Sequence, residues 1–236
     1  MKVLSLETST PAGSAALLED DRVLVEIALA GGLTHSRTLI PVIIRLLAEM
    51  GWVAPELDLV AVDLGPGSFT GLRIGLAAAK GLAWAGGKPL IGVSSLDVLA
   101  MALPPTARPA CPLIDARHGQ VYAALYRPGP NGGYERQSDY GAFSPPALAD
   151  LIREETVFCG DGVRIHQTLW PELLGPLMIR ASEELDFPRA GIVGRLALER
   201  LAQGHPSGPA LVNPLYIRPP DLRLSPTELS TLKELI

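Results

Sequence analysis

The chain is short of positive charge. Its 20 Lys and Arg are outnumbered by 25 Asp and Glu, for a net charge of −5 over 236 residues. A surface binding nucleic acid along its whole extent needs a basic excess to neutralise phosphates, so that class is excluded, although a local basic patch is not. Only two cysteines occur, Cys111 and Cys159, both in apolar stretches. Two thiols make no metal framework, and apolar surroundings fit buried thiols in a reducing cytosol. No apolar run reaches transmembrane length, and the start, "MKVLSLETST", lacks a signal peptide's apolar stretch and cleavage site. A cytoplasmic protein without a membrane role is expected. What the chain does have is apolar bulk. Hydrophobic residues make up 47% and charged residues 19%, enough for a sizeable core in one large domain or two small ones.

"KVLSLE" (2–7), "GSAALL" (13–18) and "RVLVEIALA" (22–30) read as three strands of a meander. A helix follows over 36–50, with Pro41 near its start and Gly51 as its stop. Then come a strand at 57–63, a helix at 69–85, a strand at 89–93 and a helix at 95–102. The prolines of "PPTARP" (104–109) mark a hinge. Beyond it the pattern restarts. "CPLID" ends on Asp115 as the first strand ends on Glu7, and Ala-Ala-Leu recurs at the same offsets from each acid, 15–17 and 123–125. A third strand near 133–140, a helix over 145–154, a strand over 156–160 and a helix near 188–203 complete a second, reduced lobe. The reading is an α/β protein of duplicated βββαβα lobes. The first spans 1–105 and the second 106–221, and a C-terminal helix over 222–236 packs back on the first, opened by the capping box Ser225–Glu228.

"VDLGPGSFTGLRIG" (62–75) looks like a phosphate cradle, and fits neither standard template. After Gly71 come Leu72 and Arg73 rather than Lys and Ser/Thr, and Gly65, Gly67 and Gly71 are spaced one residue too long for a dinucleotide fingerprint. Ser68 does not lie in a G-x-S-x-G elbow. On the following helix Gly71, Gly75, Ala79 and Ala83 recur every four residues, a ridge without bulk that admits another helix closely. The helix has hardly any polar face, since only Arg73 and Lys80 are charged, so it is expected to be buried on two sides. Pattern alone leaves open whether the second neighbour belongs to this chain or to a partner. Helix 36–50 likewise offers two apolar faces, Leu39, Ile43, Leu46 and Leu47 on one and Ile40 and Ile44 on the other.

A duplicated lobe with an acid closing each first strand is the plan of sugar kinases and actin, the two-lobe, ribonuclease-H-like (ASKHA) fold. There the paired acids hold Mg²⁺ and glycine-rich hairpins hold phosphates. Here the second hairpin reads "DARHGQVY", with Arg117 and His118 where small residues would let backbone approach a phosphate. Kinase or ATPase chemistry is therefore expected to be degraded. Glu7, Thr8, Ser9 and Asp115 remain weak candidates for a bound cofactor, against the plainer reading of Glu7–Ser9 as a turn with locally satisfied hydroxyls.

"LETST" (6–10), "THSRTLIPVI" (34–43), "GPGSFTGLRIGLAAAKGLA" (65–83), "VSSLD" (93–97), "DARHGQVYAALY" (115–126) and "PLYIRPP" (214–220) together resemble the TsaB family, also called YeaZ. Glu7 departs from the Asp more usual there. The resemblance implies a non-catalytic dimerisation subunit of the bacterial machinery that makes N6-threonylcarbamoyladenosine in tRNA. It implies a catalytic paralogue, TsaD, as partner, homodimerisation when TsaD is absent, and a P-loop ATPase, TsaE, reached through the complex. TsaC would supply threonylcarbamoyl-adenylate, and tRNA would be met only in the complex. No intrinsic cofactor is implied, and ATP or ADP at the partner interface is left open. TsaD carries a His-x-x-x-His metal pair, but four residues after His35 stands Leu39. The resemblance tips the ambiguous helices towards an interface of Leu39, Ile43, Leu46, Gly71, Ile74, Gly75, Ala78, Ala79 and Leu82. Competing readings are an independent ATPase or small-molecule kinase of this fold and, with least support, a glycoprotease-type peptidase.

Overall fold

A computed structural model describes residues 1–29, 35–130 and 132–218. The expected C-terminal helix over 222–236 lies outside the described residues. The first lobe opens with the meander β1 (Lys2–Glu7), β2 (Ser14–Glu19) and β3 (Arg22–Ala28). It continues through α1 (His35–Glu49), β4 (Leu59–Asp63), α2 (Phe69–Gly86), β5 (Leu90–Val93) and α3 (Ser95–Ala102). Its sheet runs in the order β3-β2-β1-β4-β5. The parallel strands β1 and β4 are almost wholly buried and mostly apolar, as expected of strands covered on both faces.

The second lobe repeats this order. Its strands are β6 (Ala110–Arg117), β7 (Gln120–Ala123), β8 (Tyr126–Pro128), β9 (Tyr134–Arg136), β10 (Gly141–Phe143), β11 (Thr156–Cys159) and β12 (Met178–Arg180). The sheet order is β10-β7-β6-β11-β12, with β8 and β9 forming a side hairpin off β6. The short helices α4 (Pro145–Ala149), α5 (Asp161–Ile165) and α6 (Trp170–Leu174) cover one face. Three features differ from the sequence reading. The strand expected near 133–140 is split into β9 and β10, helix 145–154 stops at Ala149, and α5, α6 and β12 were not foreseen. All are short, so too few periods fit in each to carry a signal.

The last described helix, α7 (Ala190–Ala202), does not stay with the second lobe. Ala190, Val193 and Ala197 pack among Val3, Ala16, Leu18, Ala61 and Ile91 on the first lobe's sheet. The chain thus returns to the first lobe after β12, within the range 106–221 read from the sequence as the second lobe. The physical reason is burial, because α1 and α2 cover only one face of the first sheet and the other face is equally apolar. Gly194 admits the close approach, since a Cβ there would press on Leu18. Among the described residues no helix is long and apolar enough to cross a membrane.

Candidate functional site

The glycine loop packs on the turn that follows β1. The Ser68 amide donates to Ser9 O at 2.7 Å, and Thr8 Oγ1 donates to Gly71 O at 2.9 Å. A Cβ on Gly67 would collide with the Ser9 carbonyl, one on Gly71 with the Thr8 carbonyl, and one on Gly75 with Thr8 Oγ1. Besides Ser68, two further loop amides have internal acceptors and are not turned outward to a phosphate: Gly65 N–H donates to Asp63 Oδ1 at 2.7 Å and Gly71 N–H to Ser68 Oγ at 3.2 Å. The ridge therefore admits the chain's own Thr8–Ser9 turn. Gly71, Gly75 and Ala79 are buried inside the lobe, which corrects their assignment to a partner surface.

Each lobe sets two acids at corresponding places, one near the end of its first strand and one at or just beyond the end of the parallel strand beside it. In the first lobe they are Glu7 and Asp63, both fully buried. Glu7 Oε1 accepts from Ser9 N at 2.6 Å and Ser9 Oγ at 2.5 Å, while Asp63 Oδ1 accepts from Ser95 Oγ at 2.7 Å. Burial, reinforced by the Asp63 charge, holds the Glu7 carboxyl well above the usual carboxylate range. Burial pushes Asp63 to about 6. Glu7 does not line the cleft between the lobes, so it does not fit the role of a Mg²⁺ ligand there; the Ser9 hydroxyl is held within the turn by Glu7, whereas the Thr8 hydroxyl reaches across to Gly71 O of α2.

These positions predict a pH dependence. A carboxyl whose folded pKa is raised contributes stability present below its unfolded pKa and lost as pH rises through the folded value. For Asp63 the window runs from 3.8 to about 6 and the loss is about 3 kcal/mol. Asp63→Asn keeps an acceptor for Gly65 and Ser95, so its melting temperature is expected to gain on wild type between pH 4 and pH 7. A difference that stays flat across that range would rule the buried charge out.

In the second lobe Asp161 Oδ1 accepts from Asp115 N at 3.0 Å, and burial pushes Asp161 to about 6. Asp115 is tied to its own hairpin, through the Arg117 amide at 2.9 Å and the Arg117 guanidinium at 3.2 Å. Arg117 and His118 both adopt positive φ, 62° and 49°, where side chains rather than glycines occupy the turn. A cavity of about 370 Å³ lies between the lobes, walled by Ser9, Thr10, Ser68 and Phe69 on one side and Asp115, Arg117, Asp161 and Arg164 on the other. A Cβ at Gly160 would strike the Leu113 carbonyl of β6, so this glycine lets the start of α5 lie close against that strand.

The other surface of note is the outer face of α1 and α2. Leu39, Ile43 and Leu46 are core residues, exposed by 2% or less, so they too leave the proposed interface. The helix buries that face on the sheet and presents the second one instead, Ile40 at 46% and Ile44 at 63% exposure. On the neighbouring α2 the exposed line is Arg73, Ala77, Gly81 and Trp84, the indole being 78% exposed. Ile74, Ala78 and Leu82 sit half-buried between the two sets. Ile40, Ile44 and Trp84 are thus large apolar side chains left exposed on two helices that pack against each other. Trp84, exposed on this face, lay outside the residues expected from the sequence. Its signal was the spacing 73, 77, 81, 84, a second ridge opposite the glycines.

Comparison with known proteins agrees with this architecture. Residues 31–222 match the TsaD family model, described as tRNA N6-adenosine threonylcarbamoyltransferase. The tRNA threonylcarbamoyladenosine biosynthesis protein TsaB of Escherichia coli is 31% identical over 225 residues, 92% of this chain and 95% of that one. The protein of the same name from Bacillus subtilis is 32% identical over 86% of this chain and 89% of its own. The solved structure of YeaZ from Pseudomonas aeruginosa superposes with a TM-score of 0.78 at 28% identity, covering 91% of this chain and 99% of that one. With the two-lobe fold, the duplicated acids and this similarity along nearly its whole length, the chain belongs to the TsaB (YeaZ) family.

Proposed function

We propose that the chain is a non-catalytic scaffold in tRNA threonylcarbamoyladenosine biosynthesis, docking a TsaD-like paralogue on the outer face of α1 and α2 and pairing with a second copy of itself when that paralogue is absent. The observation that carries this reading is the apolar face itself, since Ile40, Ile44 and Trp84 remain exposed on it. Its centre has small or half-buried residues, Ala77, Ala78 and Gly81, so an incoming helix can approach closely while the larger side chains flank it. Two features support the lack of chemistry. Among the described residues no three His, Cys, Asp or Glu side chains group to hold a metal, and the amides of Gly65, Ser68 and Gly71 in the glycine loop are turned to internal acceptors. The arginines Arg108, Arg117 and Arg127 are each paired with an acid, which supports contact with tRNA only within the complex.

The test is reconstitution. The purified chain with tRNA and threonylcarbamoyl-adenylate is expected to form no modified nucleoside, and addition of the TsaD-like paralogue with a TsaE-like ATPase is expected to restore it. Product in the rigorous absence of the paralogue would overturn the scaffold reading. Mg²⁺-dependent nucleotide turnover by the chain alone would favour the competing ATPase or kinase.

A further inference from the structure

The segment that follows α7 ties the lobes together across the mouth of the cleft. Val212 is buried in the first lobe's core, and Leu215 N–H donates to Leu64 O at 2.8 Å. The Tyr216 ring lies 5.3 Å from that of Phe69, and its hydroxyl accepts from Arg73 Nε at 3.0 Å. Arg73 in turn covers Phe69, its guanidinium 3.8 Å from the ring centroid. Phe69 and Arg73 belong to the beginning of α2. Two residues after Tyr216, Arg218 Nη1 donates to Gln120 Oε1 at 2.9 Å and to Ala116 O at 3.3 Å, both on the β6–β7 hairpin of the second lobe.

The geometry leaves little slack. From Leu215 to Arg218 the backbone reaches about 10 Å when fully extended, so the mouth cannot widen far without breaking one anchor. The back of the cleft is closed separately. There Asp97 of α3 accepts from Tyr126 at 2.8 Å, Tyr140 at 2.9 Å and Arg200 at 3.0 Å, joining both lobes to α7. The lobes are thus tied by two separate sets of bonds, one at Asp97 and one at the 215–218 crossing.

We propose that Leu215–Arg218 is a strap that holds the lobes at one opening and couples this opening to the first turn of α2. Through α2 the strap reaches the face assigned above to the TsaD-like paralogue, and this last step alone rests on that assignment. A partner that shifts the start of α2 would be felt at the second-lobe hairpin, and a hairpin released from Arg218 would loosen the start of α2.

Hydrogen exchange of the full-length chain tests this, read at hairpin residues 117–121. Arg218→Gln is expected to speed exchange there at least fivefold. Arg73→Gln, in the other lobe, is expected to speed it as well, and the double variant no more than the faster single. No change in Arg218→Gln, no effect of Arg73→Gln, or independent multiplying effects in the double variant would each overturn the strap. Adding the TsaD-like paralogue is expected to slow the hairpin in wild type and not in Arg218→Gln. Equal slowing in both would overturn the link to the partner face. If wild type does not bind the paralogue at all, the docking assignment fails, and the measurements on the free chain still decide the strap.

Discussion

Gly75→Leu is expected to give a protein that melts markedly lower, by roughly 4–8 °C, and not a stable monomer that merely fails to assemble. The new side chain has to enter where Thr8 Oγ1 already sits, on a buried turn hydrogen-bonded to Gly71 O. Overpacking of this kind costs about 3 kcal/mol when neither neighbour can move, and here the neighbour is held by backbone. Relief of the glycine penalty in a helix interior returns about 1 kcal/mol of that cost. Gly81 supplies the control, because a Cβ there meets nothing within 4 Å and the residue is exposed. Gly81→Ala should therefore raise the melting point slightly. Thermal melts of the two variants at equal, low protein concentration separate these outcomes from the contribution of homodimerisation. A Gly75→Leu protein that melts like wild type would return this glycine to the surface.

Ile44→Asp should do the opposite: leave the fold alone and abolish association. Ile44 is 63% exposed, so an acid there stays hydrated in the free chain and changes stability by no more than about 0.5 kcal/mol. Buried beneath a partner helix the same acid would lose its water without gaining a cation. The expected loss is about 100-fold in affinity for the TsaD-like paralogue, roughly 3 kcal/mol, and the self-associated species should disappear from sedimentation profiles. Trp84→Ala is expected to weaken both associations through lost contact area alone, with a smaller effect. Undiminished binding by the Ile44→Asp, Trp84→Ala double variant would remove the α1–α2 face from the interface.

The two helices show why part of the site was legible and part was not. Both carry apolar residues on opposite faces, and the sequence reports that surplus plainly. It cannot report which face turns inward. Leu39, Ile43 and Leu46 and the pair Ile40 and Ile44 are equivalent as patterns, and only the sheet chooses between them. The glycine ridge misled for a related reason. A stripe of small residues says that some backbone comes close, without saying whose, and the backbone turned out to be the chain's own Thr8–Ser9 turn.

The sequence by itself determined the duplication, the elements of the first lobe to within a residue or two and the family. These rest on local periodicity and on motifs that stay together along the chain. The acids Glu7 and Asp115 at matching strand ends were visible for the same reason. Their counterparts, Asp63 and Asp161, became paired with them only in space, since β1 lies beside β4 and β6 beside β11. The tertiary structure also decided the return of α7 to the first lobe and the crossing of Leu215–Arg218 to the second. Neither leaves a local trace, because an amphipathic helix or an arginine in a loop has the same sequence whichever lobe supplies its partner. What selects the partner is which apolar face and which carbonyls remain uncovered once both sheets have formed.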